Sequence, residues 1–190
     1  MPDFLTAYRK TLGFEGGWSN LPDDRGGETV MGISRRNHPA WPGWPLVDSL
    51  KNEQGIPNLN QAAALPLSSL VESFYQAEYW ERAWCGKLPA QGLAEEIFDS
   101  AVNCGVDTAV AWLQEMSNLL RQKDDALLAV DGAMGERTLA ALNILAARNN
   151  LARLTKLLNI VQAAHYLALV RYDPGQRQFL IGGWLNRVTL

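Results

Sequence analysis

The chain has 190 residues, a formal net charge of −3 and a pI near 5.4. With 47% hydrophobic and 19% charged residues it reads as one or two folded globular domains, not as a disordered chain. The acidic balance argues against a nucleic-acid binder, which needs a basic face, and no apolar run reaches the roughly 20 residues of a membrane span.

The opening Met1-Pro2-Asp3-Phe4 lacks the basic-then-apolar layout of a secretory leader, so synthesis in the cytoplasm is expected. Cys85 and Cys104 form no CxxC pair; buried free thiols are the expectation, with a single disulfide left open. With only His38 and His165 beside them, a zinc site is not expected, and no other metal or cofactor is implied.

Pro2-Asp3 is a helix start, and Phe4, Leu5, Tyr8 and Leu12 recur at helical spacing until Gly13. Glu15 then falls at or just past a helix C-terminus, between Phe14 and Trp18. Exposed carbonyls and aromatic neighbours both disfavour a carboxylate there and raise its pKa, as a general acid requires. Asn20 to Gly27 is turn-rich, and Glu28 to Ile33 is strand-like, which predicts a β-hairpin or tight loop. Folding back would bring Asp23 or Asp24, and Thr29, over Glu15. One acid in an apolar niche and one exposed carboxylate suit glycoside hydrolysis.

These residues also resemble a known family. Glu15-Gly16-Gly17-Trp18, then Asp24-x-Gly26-Gly27-Glu28-Thr29 and Gly32-Ile33, are similar to the signature of glycoside hydrolase family 108, bacterial and phage N-acetylmuramidases. The resemblance implies a mainly α, lysozyme-like fold in which a small β-hairpin or loop carries the second carboxylate. It implies Glu15 as catalytic acid, Asp24, nine residues on, as second carboxylate, and Thr29 as a holder of the catalytic water. The substrate implied is the glycan strand of peptidoglycan, cut between N-acetylmuramic acid and N-acetylglucosamine by a monomer. Acting on the wall, such an enzyme would reach the periplasm through a holin or secretion machinery. Asp23 stays beside Asp24 as the alternative, and inversion against retention depends on a carboxylate separation that a sequence does not give.

Further along, prolines keep His38 to Pro45 out of regular structure. Trp41 and Trp44 on that loop either stack on sugar rings, as Trp18 also can, or cover a core edge. Residues 48–66 read as a long connection. Leu67, Leu70, Val71, Phe74, Ala77 and Trp80 predict an amphipathic helix over 67–83. Lys87-Leu88-Pro89-Ala90 is the expected boundary between a catalytic region, 4–91, and a helical region, 92–188.

The second region shows helical spacing over Leu93 to Cys104, then from an Asp107-Thr108 cap to Leu120, then over 136–148, 150–172 and 179–188. His165 lies on an apolar stripe and reads as a core histidine. Ala111-Trp112-Leu113-Gln114, with Asp131-Gly132-x-x-Gly135-x-x-Thr138, is similar to the small helical peptidoglycan-binding modules of wall hydrolases. Trp184 and Arg187 are then either wall contacts or helix-packing residues. Two rivals remain: a non-catalytic wall-binding protein on the same fold, and a glycosidase of chitin-like chains. An amidase or endopeptidase lacks its usual zinc or Cys-His constellation.

Overall fold

The structure is a computed structural model that describes residues 1–12, 17–20, 27–54 and 65–188. Its described part is mainly helical with one small antiparallel sheet. The chain divides into two compact units, Leu12–Ala77 and Met1–Thr11 with Glu78–Leu190. In this division most of the first helix goes with the C-terminal helices.

In the smaller unit, β1 (Trp18–Ser19), β2 (Thr29–Val30) and β3 (Ile33–Ser34) form the sheet in the order β1-β2-β3. The registers are Trp18↔Val30 and Thr29↔Ser34. The β2–β3 turn is tight enough to need positive φ at Met31 (43°) and Gly32 (80°). After turns over 35–43 comes α2 (Trp44–Gln54), where a connection was expected. Pro45 sits in its first turn, where a missing N–H costs nothing, and Trp44, Val47 and Leu50 are buried at intervals of three.

Leu65–Tyr75 forms α3, which passes directly into a π-helical segment, Gln76–Glu81. The wider π turn rotates the apolar stripe: Leu67, Val71, Tyr75 and Trp80 are buried, whereas Ala77, expected inside, is exposed. Within the smaller unit the Tyr75 hydroxyl donates to the Met31 carbonyl at 2.8 Å, tying α3 to the strained turn.

In the larger unit, α1 (Phe4–Leu12) is capped by Asp3, whose Oδ1 accepts from the Thr6 amide at 2.8 Å. Its start is tied to α4 (Gln91–Cys104) by the Asp3 amide on Gln91 Oε1 (2.6 Å) and by Lys10–Glu95 (2.9 Å). Phe4, Trp80 and Phe98 meet edge to face with centroids under 6 Å apart, which is favourable aromatic geometry. Gly105, at φ 89°, ends α4, and α5 (Val106–Leu120) begins at once. Asp107 therefore lies inside its first turn and does not cap it.

Next come α6 (Glu136–Ala147) and α7 (Leu151–Tyr172), close to the expected bounds. Residues 174–187 are helical but irregular, mixing 3-10, α and π turns. Both cysteines are free, and burial pushes the Cys104 thiol up to about 11. Among the described residues no helix is long and apolar enough to cross a membrane.

The inner line of α7 is partly polar: Asn159 and Gln162 are fully buried there. Asn159 Nδ2 donates to Glu96 Oε2 at 2.6 Å, and Gln162 Nε2 donates to Asp99 Oδ2 at 3.1 Å. Burial first, and the nearby Asp99 charge second, push the Glu96 carboxyl up to about 7. A folded-state pKa above the unfolded 4.5 favours the fold fully at low pH and loses that contribution as pH rises towards 7. At about 1.4 kcal/mol per unit the loss is on the order of 3 kcal/mol. Glu96→Gln, fixed in the neutral form, is therefore expected to raise Tm relative to wild type by several degrees more at pH 8 than at pH 5. An equal difference at both pH values would show that Glu96 does not titrate in this window.

Candidate functional site

The sheet places both ends of the sequence motif side by side. The Trp18↔Val30 and Ser19↔Thr29 pairs close residues 20–28 into one connection. Glu15, Asp23 and Asp24 lie outside the described residues. Thr29 is half-buried on β2, its hydroxyl donating to the Gly27 carbonyl at 3.2 Å.

Glu28 is the electrostatic hub of this unit. Its Oε1 accepts from Trp18 Nε1 at 2.8 Å and from Lys51 Nζ at 2.6 Å, and its Oε2 faces Arg35 Nε at 2.7 Å. Asp48 sits beyond, paired with Arg35 at 2.6 Å and with Lys51 at 3.4 Å. Burial alone would push the Glu28 carboxyl up. The Lys51 and Trp18 hydrogen bonds, with the Arg35 and Lys51 charges, outweigh it and hold the carboxyl below its usual range. Glu28 is thus ionised at neutral pH and serves as an anchor rather than a proton donor. It joins β1, β2 and α2 through one side chain. Sequence reasoning left Glu28 as a charge near the site or a loop hydrogen-bonder, and missed its partners because α2 was read as a connection.

The tryptophans divide. Trp18 is partly exposed, its indole N–H fixed by Glu28 and its ring 5.8 Å from Lys51 Nζ. Trp41 and Trp44 are 6% and 3% exposed, packed edge to face at 5.0 Å. Trp44 also donates to the His38 carbonyl at 2.7 Å and carries the Arg35 guanidinium 4.2 Å over its ring. The sugar-stacking expectation is corrected for both, since their faces are covered by protein.

Trp184 stacks on Tyr166 at 4.9 Å and 17°, and Arg187 pairs with Asp99 at 2.8 Å with 14% of its side chain exposed. These side chains hold the tail against α4 and α7. His165 packs edge to face on Trp112.

In the larger unit the Asp131-Gly132 motif is a loop clamp. Gln114, 2% exposed on α5, donates through Nε2 to Asp131 Oδ1 (2.8 Å), the Ala133 carbonyl (3.0 Å) and Thr138 Oγ1 (3.3 Å). Its Oε1 accepts from the Asp131 and Gly132 amides, both at 3.0 Å. Gly132 has φ 71°, and a Cβ there would lie 2.7 Å from the Asp107 carbonyl oxygen. Gln114, Asp131, Gly132 and Thr138 thus act together in closing this loop on α5.

A mainly helical chain whose three-stranded antiparallel sheet flanks a Glu-Gly-Gly-Trp…Gly-Gly-Glu-Thr motif is, by class, a lysozyme-like glycoside hydrolase. The family model described as glycosyl hydrolase 108 matches residues 8–105, and the chain belongs to that family. A second, described as a predicted peptidoglycan domain, matches residues 108–189. The chain is accordingly a hydrolase acting on peptidoglycan. Its fold is similar to the solved structure of Brucella abortus SagA, at 24% identity and a TM-score of 0.60, over 97% of this chain and 88% of that one. No curated protein matches the chain.

Two outcomes follow from this geometry. Glu28→Gln leaves Arg35 and Lys51 against a neutral amide, and is expected to lower stability by about 1–3 kcal/mol at pH 7 with a matching fall in peptidoglycan turnover. An unchanged Tm would refute the anchor role. Gly132→Ala combines a left-handed φ with a steric clash and is expected to cost about 1–3 kcal/mol; a neutral change in urea unfolding would contradict the clamp.

Proposed function

We propose that the protein is an N-acetylmuramidase cleaving the β-1,4 bond between N-acetylmuramic acid and N-acetylglucosamine. Glu15 protonates the leaving oxygen, Asp24 positions water or stabilises charge at the anomeric carbon, and Thr29 holds the water. The observation that supports this reading most is the β1–β2 register. Glu15 stands three residues before β1 in the sequence, Asp24 falls between β1 and β2, and Thr29 stands on β2 beside the Glu28 anchor. A carboxylic acid, a carboxylate and a hydroxyl within one short motif form the donor set that glycoside hydrolysis uses. Trp18, with its N–H fixed, offers a stacking face for a sugar ring. As a wall-cutting enzyme it acts in the periplasm, reached through a holin as a phage endolysin or through secretion machinery.

The test is turnover of purified peptidoglycan by wild type and Glu15→Gln, with new reducing ends identified by mass spectrometry. Muramic-acid reducing ends are expected from wild type, with a loss of about 10²–10⁴ in rate on removing the general acid. Equal rates would overturn the role of Glu15. N-acetylglucosamine reducing ends would overturn the bond assignment.

A further inference from the structure

A groove of about 600 Å³ opens in the larger unit between α5, α6 and the irregular segment 121–135, well away in sequence from the catalytic motif. Its lining contains no aromatic side chain. A sugar-binding groove would present flat aromatic faces, so this one is built for something else. Its walls are small and aliphatic: alanines 126, 129, 140 and 141, with Leu128 and Ile144. Such walls fit methyl groups and short aliphatic chains.

One wall is a stretch of open main chain. Asn118 clamps Leu128 from both sides, Nδ2 donating to its carbonyl and Oδ1 accepting from its amide, each at 2.9 Å. The main chain of Ala126, Leu127, Ala129 and Val130 carries no hydrogen bond to any described residue. Leu127 and Val130 are 68% and 52% exposed on the same segment. Unpaired amides and carbonyls beside an aliphatic groove are what an extended peptide pairs with.

The rim charges select further. Asp125 is held in a bidentate pair by Arg148, and Asp131 is bonded to Gln114 and to the Ala133 amide. Arg121 uses only Nη1, on the Gln122 and Asp125 carbonyls. Arg137 and Glu136 are exposed and have no recorded side-chain partner among the described residues. Two guanidiniums thus line the groove to meet ligand carboxylates, and the Glu136 and Asp131 carboxylates line it to meet an amine.

We propose that this groove binds the short peptide stem of peptidoglycan, with alanine methyls on the aliphatic wall, main chain along residues 126–130, and peptide carboxylates at Arg121 and Arg137. The assignment rests on the peptidoglycan reading above but not on Glu15. It divides the labour within one polymer: glycan at the catalytic unit, peptide at the larger one.

The test uses the full chain and a synthetic wall-type tetrapeptide (L-Ala, γ-D-Glu, meso-diaminopimelate, D-Ala), which contains no glycosidic bond and cannot be turned over. Amide NMR titration is expected to shift Ala126 to Val130, Ala140 and Ile144 with the tetrapeptide, and not with peptide-free chitotetraose. Arg137→Glu and Ile144→Asp alter exposed positions on α6, and each is expected to weaken the tetrapeptide at least about tenfold. Retained amide dispersion checks folding, and either variant alone suffices. No shift with the tetrapeptide, shifts with chitotetraose instead, or unaltered affinity in a folded variant would overturn the proposal. Peptidoglycan hydrolysis is assayed in parallel: peptide binding without hydrolysis would sink the muramidase reading alone, and hydrolysis without peptide binding would sink this one alone.

Discussion

Glu96 and Asp99 lie one turn apart on α4, and Asn159 and Gln162 lie one turn apart on α7; their two contacts set the register of the larger unit. An apolar seam alone tolerates sliding by a turn at modest cost, whereas a slipped seam here would break two buried polar contacts at once. Other parts are referred to α4. Phe4 and Trp80 reach Phe98 on it, Gln91 and Glu95 hold the start and end of α1, and Asp99 takes Arg187 from the tail. The arrangement places a carboxyl that favours its neutral form next to one paired with arginine. The same seam that gives register thereby makes the unit sensitive to pH.

Much of this was legible in the sequence where one rule decided the outcome. Apolar spacing located α1, α4, α5, α6 and α7 because each buries one stripe, and Gly105 and Asp173 mark the ends of α4 and α7. It failed where spacing and geometry part company. Between Val71, Tyr75 and Trp80 the steps of four and five belong to a π turn, and a period of 3.6 instead placed Ala77 inside. Pro45 was read as a breaker although it sits where a helix accepts proline, so α2 was lost and with it Asp48 and Lys51. The division of the chain was hidden for a different reason. Only tertiary contacts show that α1 belongs with residues after Glu78.

For the candidate site, the motif pointed to a stretch whose described residues, Trp18, Thr29 and Ile33, stand on one small sheet. It did not show which acidic residue is structural. Glu28 carries two cations and an indole N–H, which no spacing in the sequence announces, since Arg35 and Lys51 arrive from separate turns. Tryptophans misled for the opposite reason: a large ring with one N–H serves a core and a sugar site equally, and only burial separates Trp41 and Trp44 from Trp18. The Gln114 clamp was visible as a pattern, but its purpose needed the φ of Gly132 and the Asp107 carbonyl beside it.

An acidic chain that works on an anionic wall is a contradiction only if charge is spread evenly. Here many of the carboxylates are paired within the fold: Glu28 and Asp48 with Arg35 and Lys51, Glu95 with Lys10, Asp99 with Arg187, Asp125 with Arg148. Each pair is close to neutral beyond a Debye length of about 8–10 Å. What an approaching polymer meets is therefore set by the few charges left over at a given surface rather than by the total of −3. In the groove between α5 and α6 those are Arg121 and Arg137 against Glu136 and Asp131, so their placement counts and not a net sign. A net charge near zero or below also avoids the indiscriminate adhesion to wall polyanions that a strongly basic hydrolase accepts, so recognition falls to local pairing and shape.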